Sequence, residues 1–141
     1  MRRLVTGVDT SGRSCVVEER EVAFGGVVPG VGVDTMFDTH ESPPSPRPAG
    51  HSDMLDLGVA PGLAHWIVVE YEPGAVFPMH HTDTIDFDIV LAGTMELTLD
   101  DGVHPLAPGD CVVMTGVDHA WAAGPDGCTL SVIALGTPPP L

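Results

Sequence analysis

Turn chemistry recurs at short intervals through the second half of this chain. It stands at Glu72-Pro73-Gly74, Asp83-Thr84, Asp100-Asp101-Gly102, Ala107-Pro108-Gly109-Asp110, Thr115-Gly116-Val117-Asp118 and Gly124-Pro125-Asp126-Gly127. The stretches between are too short for a helix to recover the cost of its nucleation. Their residues instead fit strands: Met95, Leu97 and Leu99 alternate with polar neighbours, and Cys111 to Met114 is apolar throughout. Short strands cut at even spacing by glycine turns predict an all-β sandwich or barrel. The 17 glycines and 14 prolines leave little room for long helices, because both residues break them.

The first half is looser. Leu4-Val5 and Cys15-Val16-Val17 flank the turn residues Asp9-Thr10-Ser11-Gly12 and predict an N-terminal β-hairpin over residues 1–24. Residues 25–33 read as loop or kinked strand, and Val33 to Phe37 as a further short strand. The segment ESPPSPRPAG, residues 41–50, excludes helix and sheet ladder alike. It is either a solvated connector or a lid or arm reaching a partner subunit. Strands are expected at 63–71, 76–82, 86–91, 94–99, 103–106, 111–114 and 129–135, with Met79, Met95 and Met114 as core fillers. One structural domain results: residues 1–62 pack as hairpin and proline-rich loop on a barrel of 63–136, followed by a tail of 137–141.

The formal net charge is −15, with no lysine at all. Such a surface repels phosphate backbones and anionic lipid, so neither nucleic acid nor membrane is an expected partner. Cys15, Cys111 and Cys128 are odd in number and far apart, which argues against a disulfide framework or a cysteine zinc site. Reduced thiols, together with the lack of an apolar leader in MRRLVTGVDTSG, predict a soluble cytoplasmic protein. The composition, rich in Ala, Gly, Val, Pro and Asp, suggests a bacterial source.

The chemistry concentrates between Pro73 and Gly93, where His80, His81, Asp83, Asp86 and Asp88 fall within nine positions. Strand alternation places His80 and Thr82 on one face and His81 on the other. Asp86 and Asp88 share a face as well. Two carboxyls close together raise the proton affinity of one, which suits Asp88 beside Asp86 to general acid–base work; a solvent-facing Asp88 is the alternative. His65 opens a strand and reaches either the interior or the surface. Trp121 shares a face with His119 and reads as an aromatic wall or as core.

These residues resemble the cupin family. Its first motif is matched by Gly74, five residues, His80-His81-Thr82, three residues, Asp86, six residues and Gly93. Its second is matched by Gly109-Asp110, the Gly116 turn and His119. Four positions depart from the pattern. Thr82 replaces a histidine, Asp86 a glutamate and Ala123 an asparagine, and the turn before His119 is one residue short with Thr115 in place of proline. The run HHTDTIDFDIVLAG is similar to that of small bacterial cupins carrying Thr-Asp-Thr-Ile-Asp here.

The resemblance implies a double-stranded β-helix, a jelly-roll-like barrel of two antiparallel sheets, with the N-terminal hairpin beside it. It implies a divalent transition metal (Fe, Zn, Mn or Ni) on His80, Asp86 and His119, with Thr82, His65 and Trp121 around a substrate pocket. His81 would serve as a ligand only if a bulge turned it inward. A homodimer is implied too. The expected activity is metal-dependent, non-oxidative lyase, cyclase or isomerase chemistry on a small carbonyl or acid substrate, with Asp88 or Asp83 moving a proton. An Fe(II) dioxygenase and a metal-free ligand-binding cupin are the alternatives.

Overall fold

A computed structural model describes residues 1–141 and contains strands and turns with no helix, so no helix is available to cross a membrane. The N-terminal hairpin forms as expected. Strand β1 (Arg2–Val8) pairs antiparallel with β2 (Ser14–Glu21). Between them Asp9 Oδ1 accepts the amides of Ser11 at 2.8 Å and Arg13 at 3.0 Å, closing the turn. Residues 25–33 form a second, separate hairpin of β3 (Gly25–Val28) and β4 (Val31–Val33). The strand expected over 33–37 is not there. Asp34, just past β4, turns its carboxylate to Arg20 at 2.6 and 2.9 Å and to the amide of Ala23 at 2.8 Å, which ends the pairing.

The remaining strands are β5 (Asp53–Met54), β6 (Ala64–Tyr71), β7 (Val76–His81), β8 (Thr84–Leu99), β9 (Gly102–Leu106), β10 (Cys111–Met114) and β11 (His119–Gly136). Two of them are longer than the turn signals predict. The Ala92-Gly93 and Gly124–Gly127 corners bend β8 and β11 without ending them. Gly93 and Gly127 both take positive φ, 72° and 76°, and pack together; a Cβ on Gly93 would lie 2.0 Å from the Gly127 carbonyl oxygen. Only glycine fits a corner that combines left-handed backbone with such close approach.

The corners divide one curled sheet into two layers. The first part of β11 pairs with β7 and the second part of β8, from Met95 to Thr98, and β8 in turn pairs with β9. The second part of β11 pairs with β6 and with the first part of β8, which continues into β10 and β1. Most pairings are antiparallel, as expected. Strand β1 on β10 and strand β5 on β7 are parallel, so the sheet is mixed. The core fills the space between the layers, with Leu4, Val90, Met95, Leu97, Val112, Met114, Trp121 and Leu130 all buried. Met79 is not among them. It is exposed, because alternation from buried His80 turns it outward.

The proline-rich loop ends at Gly50, which packs against Asp118 and His81; a Cβ there would meet Asp118 Oδ1 at 2.3 Å and His81 Cγ at 2.6 Å. Asp118 accepts the amides of His51 at 2.7 Å and Ser52 at 3.1 Å and the Ser52 hydroxyl. Strand β5 then adds to β7, and the Leu55 amide bonds the His81 carbonyl at 2.8 Å. This strap carries Leu55 and Leu57 across the mouth of the space between the layers.

Candidate active site

A cavity of about 340 Å³ lies between the two layers. Strand β6 supplies Ile67, Val69 and Tyr71, and β7 supplies Phe77 and His80. Asp86 and Asp88 enter from β8, while His119, Trp121, Leu130 and Val132 enter from β11. Thr82 and the strap residues Leu55 and Leu57 complete most of the wall. Its size is that of a small-molecule site, and most of its surface is apolar.

Strand register builds an aromatic ladder along one wall. His119 stands opposite His80, and Trp121 opposite Phe77, across the β7–β11 pairing. Ring centroids are 4.6 Å apart for Phe77 and His80, 4.2 Å for His80 and His119, and 5.7 Å for His119 and Trp121. Each imidazole is fixed by a backbone carbonyl two residues earlier. His80 Nδ1 is 2.8 Å from the Pro78 oxygen and His119 Nδ1 is 2.6 Å from the Val117 oxygen. A carbonyl only accepts, so both Nδ1 atoms carry the hydrogen and both Nε2 atoms keep a free lone pair. Burial, and then the neighbouring His80, push His119 down to about 4. Burial lowers His80 as well. Both rings are therefore neutral at pH 7.

The opposite wall carries two carboxyls two residues apart on β8. Asp86 is 7% exposed and Asp88 5%, and strand geometry spaces them by about 7 Å along the backbone. Burial raises Asp86 to about 6, opposed by a hydrogen bond from Thr84. Burial, and then the charge of Asp86, raise Asp88 well above the usual carboxylate range. Asp88 Oδ1 is buried and has no hydrogen-bond partner. Thr84 Oγ1 lies 2.7 Å from Asp86 Oδ1 and 2.9 Å from Thr82 Oγ1. Its single proton serves one of these at a time, so the Thr82–Thr84–Asp86 chain reverses direction as Asp86 gains or loses its proton. Tyr71 completes this side; burial and then the nearby Asp88 push its phenol up to about 12.

Six of the expected site residues meet in the cavity: His80, Thr82, Asp86, Asp88, His119 and Trp121. Two do not. Asp83 has the opposite strand parity and lines a separate small recess beside Met54 and Leu57. His65 lies on the cavity side of β6 by parity but is exposed, two residues before the wall begins at Ile67. His81 points away from the cavity, with Nδ1 3.8 Å from Asp118 Oδ1. The site also contains Thr84 as a bridge, Tyr71 and Phe77 as walls, and Leu55 and Leu57 as cover. The sequence places Thr84 in a turn, whereas it opens β8 and lies between Thr82 and Asp86 on the face they share. The two leucines come from a segment with no periodic signal.

The fit to a metal ion is incomplete. Neutral imidazoles anchored through Nδ1 are what metal coordination by Nε2 requires. Nowhere, however, do three His, Cys, Asp or Glu side chains come together in a group able to hold an ion. His80 and His119 stand as a pair, without Asp86 as the third donor the sequence implies.

Residues 67–135 match the family described as Cupin domain. Phomopsin biosynthesis cluster protein D of Diaporthe leptostromiformis is 39% identical over 62 residues, covering 43% of this chain and 33% of that protein. A cupin-domain-containing oxidoreductase of Neurospora crassa is 34% identical over 55 residues, covering 38% of this chain and 28% of its own length. The matched segment thus spans about a third of these fungal relatives. A sugar phosphate isomerase of the cupin superfamily from Silicibacter pomeroyi aligns with TM-score 0.46 and 28% identity, covering 53% of this chain and 52% of that one.

Proposed function

We propose that the chain is a cupin whose cavity is the active site of a small-molecule enzyme performing non-oxidative proton transfer, of the lyase, cyclase or isomerase kind. One observation carries this reading: two buried carboxyls, Asp86 and Asp88, share one apolar cavity with two neutral imidazoles. Carboxyls in such surroundings keep protons near neutral pH, where they work best as acid and base. Asp88, the more strongly raised, is the acid and delivers its proton to an oxygen of the substrate. Asp86, nearer to neutrality and steadied by Thr84, accepts a proton from carbon. His80 and His119 orient the substrate through their free Nε2 lone pairs. Names of relatives that refer to biosynthesis clusters and to oxidoreductases are consistent with small-molecule chemistry.

His80 and His119 supply two donors of the three expected for a divalent metal, so no step is placed on a metal. Metal analysis of the purified protein beside His80→Ala and His119→Ala tests that part separately. Stoichiometric metal lost in both variants restores the three-ligand reading.

The proton-transfer reading is tested by incubating the protein in D2O with a panel of small ketones and β-hydroxy ketones and following deuterium uptake by mass spectrometry. Uptake that falls at least about 100-fold in Asp86→Asn and in Asp88→Asn is the expected result, the size of a lost general acid or base. Uptake unchanged in both variants overturns it.

A further inference from the structure

The cavity presents no cation. Its lining holds Glu70, Asp86 and Asp88 but neither arginine nor lysine. Of the five arginines, Arg2, Arg3 and Arg20 are committed to Glu19 and Asp110, Glu18, and Asp34 elsewhere. An anionic ligand entering here meets carboxyl groups without any compensating charge, and burying an unpaired charge is costly.

The imidazoles add two acceptors to this wall. His80 and His119 each offer a bare Nε2, because their Nδ1 hydrogens are held by Pro78 and Val117. Asp88 Oδ1 is buried without a partner. A buried polar atom left unpaired is costly, so the site is incomplete until something bonds to it. The rest of the wall is apolar and aromatic, formed by Phe77, Trp121, Ile67 and Val69.

We infer that the cavity takes an uncharged, hydroxyl-bearing molecule on an aromatic or aliphatic frame, with its hydroxyl on Asp88 and its frame against the Phe77–Trp121 ladder. This rests on the reading of the cavity as the substrate site and narrows the carbonyl or acid substrates expected from sequence: free carboxylates and phosphate esters are excluded. Asp88 here sets specificity. A carboxyl group bonds a hydroxyl whichever of its oxygens carries the proton, so the preference holds in either protonation state.

Three probes on one benzyl frame separate the terms: 2-phenylethanol, ethylbenzene and phenylacetate, titrated into the intact protein by calorimetry or ligand-observed NMR at pH 7. The alcohol is expected to bind about tenfold tighter than ethylbenzene, the worth of one buried hydrogen bond, and phenylacetate weaker than both. Asp88→Leu should erase the advantage of the alcohol while keeping ethylbenzene binding, which also shows that the variant folds with its cavity intact. Phenylacetate binding as tightly as the alcohol overturns the inference. So does a hydroxyl advantage that survives Asp88→Leu. The two readings fail separately. A hydroxyl preference without deuterium uptake removes only the catalytic reading, and uptake with tight phenylacetate binding removes only this one.

Discussion

Replacing Asp86 by asparagine exposes a balance of protons hidden in the native cavity. Burial raises Asp86 from 3.8 to about 6 and lowers His119 from 6.5 to about 4. The folded state therefore holds the Asp86 proton more tightly than the unfolded chain, so the Asp86 contribution to stability is complete below 3.8 and is lost as pH rises toward 6. His119 runs the other way: its contribution is complete above 6.5 and is lost as pH falls toward 4. One proton of difference is worth about 1.4 kcal/mol per pH unit. Each group thus changes stability by about 2 kcal/mol between pH 4 and 6, with opposite sign. Asp88 and His80 form a second opposed pair of the same directions. In the native protein the Asp86 and His119 contributions offset each other across this window. Urea denaturation of metal-free protein at pH 4, 5 and 6 measures it. Asp86→Asn should gain about 2 kcal/mol on the native protein from pH 4 to pH 6, and His119→Gln should lose about as much. Because the readout is a slope, any constant cost of either substitution cancels. A difference from the native protein that stays constant across the window in both variants refutes the reasoning.

Gly116→Ala should destabilise the fold by roughly 3 kcal/mol or more. Gly116 has φ +78°, and a Cβ there would lie 2.4 Å from the Thr82 oxygen, which is backbone and cannot move aside. An unchanged denaturation midpoint contradicts this. Thr84→Val removes the one hydrogen bond that lowers Asp86, so the Asp86 carboxyl should titrate higher by NMR; a value unchanged or lower contradicts the relay. Asp118→Ala should release the strap over the cavity, because Asp118 accepts the amides of His51 and Ser52. Hydrogen exchange at Leu55 should then quicken about tenfold or more, matching the loss of 1–3 kcal/mol of hydrogen bonding. Unchanged protection refutes the anchoring role.

Much of the fold was legible because its turns are written locally. Asp100-Asp101-Gly102 and Ala107-Pro108-Gly109-Asp110 state their conformations within a few residues, and the strands they bound stand where expected, Cys111–Met114 to the residue. The glycine corners misled. Gly93 and Gly124–Gly127 carry the same chemistry as a turn, but pairing continues through them, and a continuing ladder depends on partners distant in sequence. Within the site, parity alone separated His81 from His80 and joined Asp86 to Asp88. Alternation excludes Asp83 as well, but only once the strand is known to start at Thr84. Parity does not exclude His65, which has the right face and the wrong height. The strap was illegible: Leu55 and Leu57 follow a proline loop without periodicity, and they reach the cavity only because Asp118 and His81, far along the chain, hold that segment in place.

The account depends above all on two carboxyls that share a buried cavity and keep protons where ordinary aspartates do not. Carboxyl carbon NMR of the protein labelled at aspartate, titrated from pH 3 to 9 with Asp86→Asn and Asp88→Asn for assignment, observes those protons directly. Asp88 should titrate well above 3.8, and Asp86 should pass its midpoint near 6, as burial requires. Two carboxyls that both titrate near 3.8 and are fully ionised at pH 7 would contradict the account at its centre.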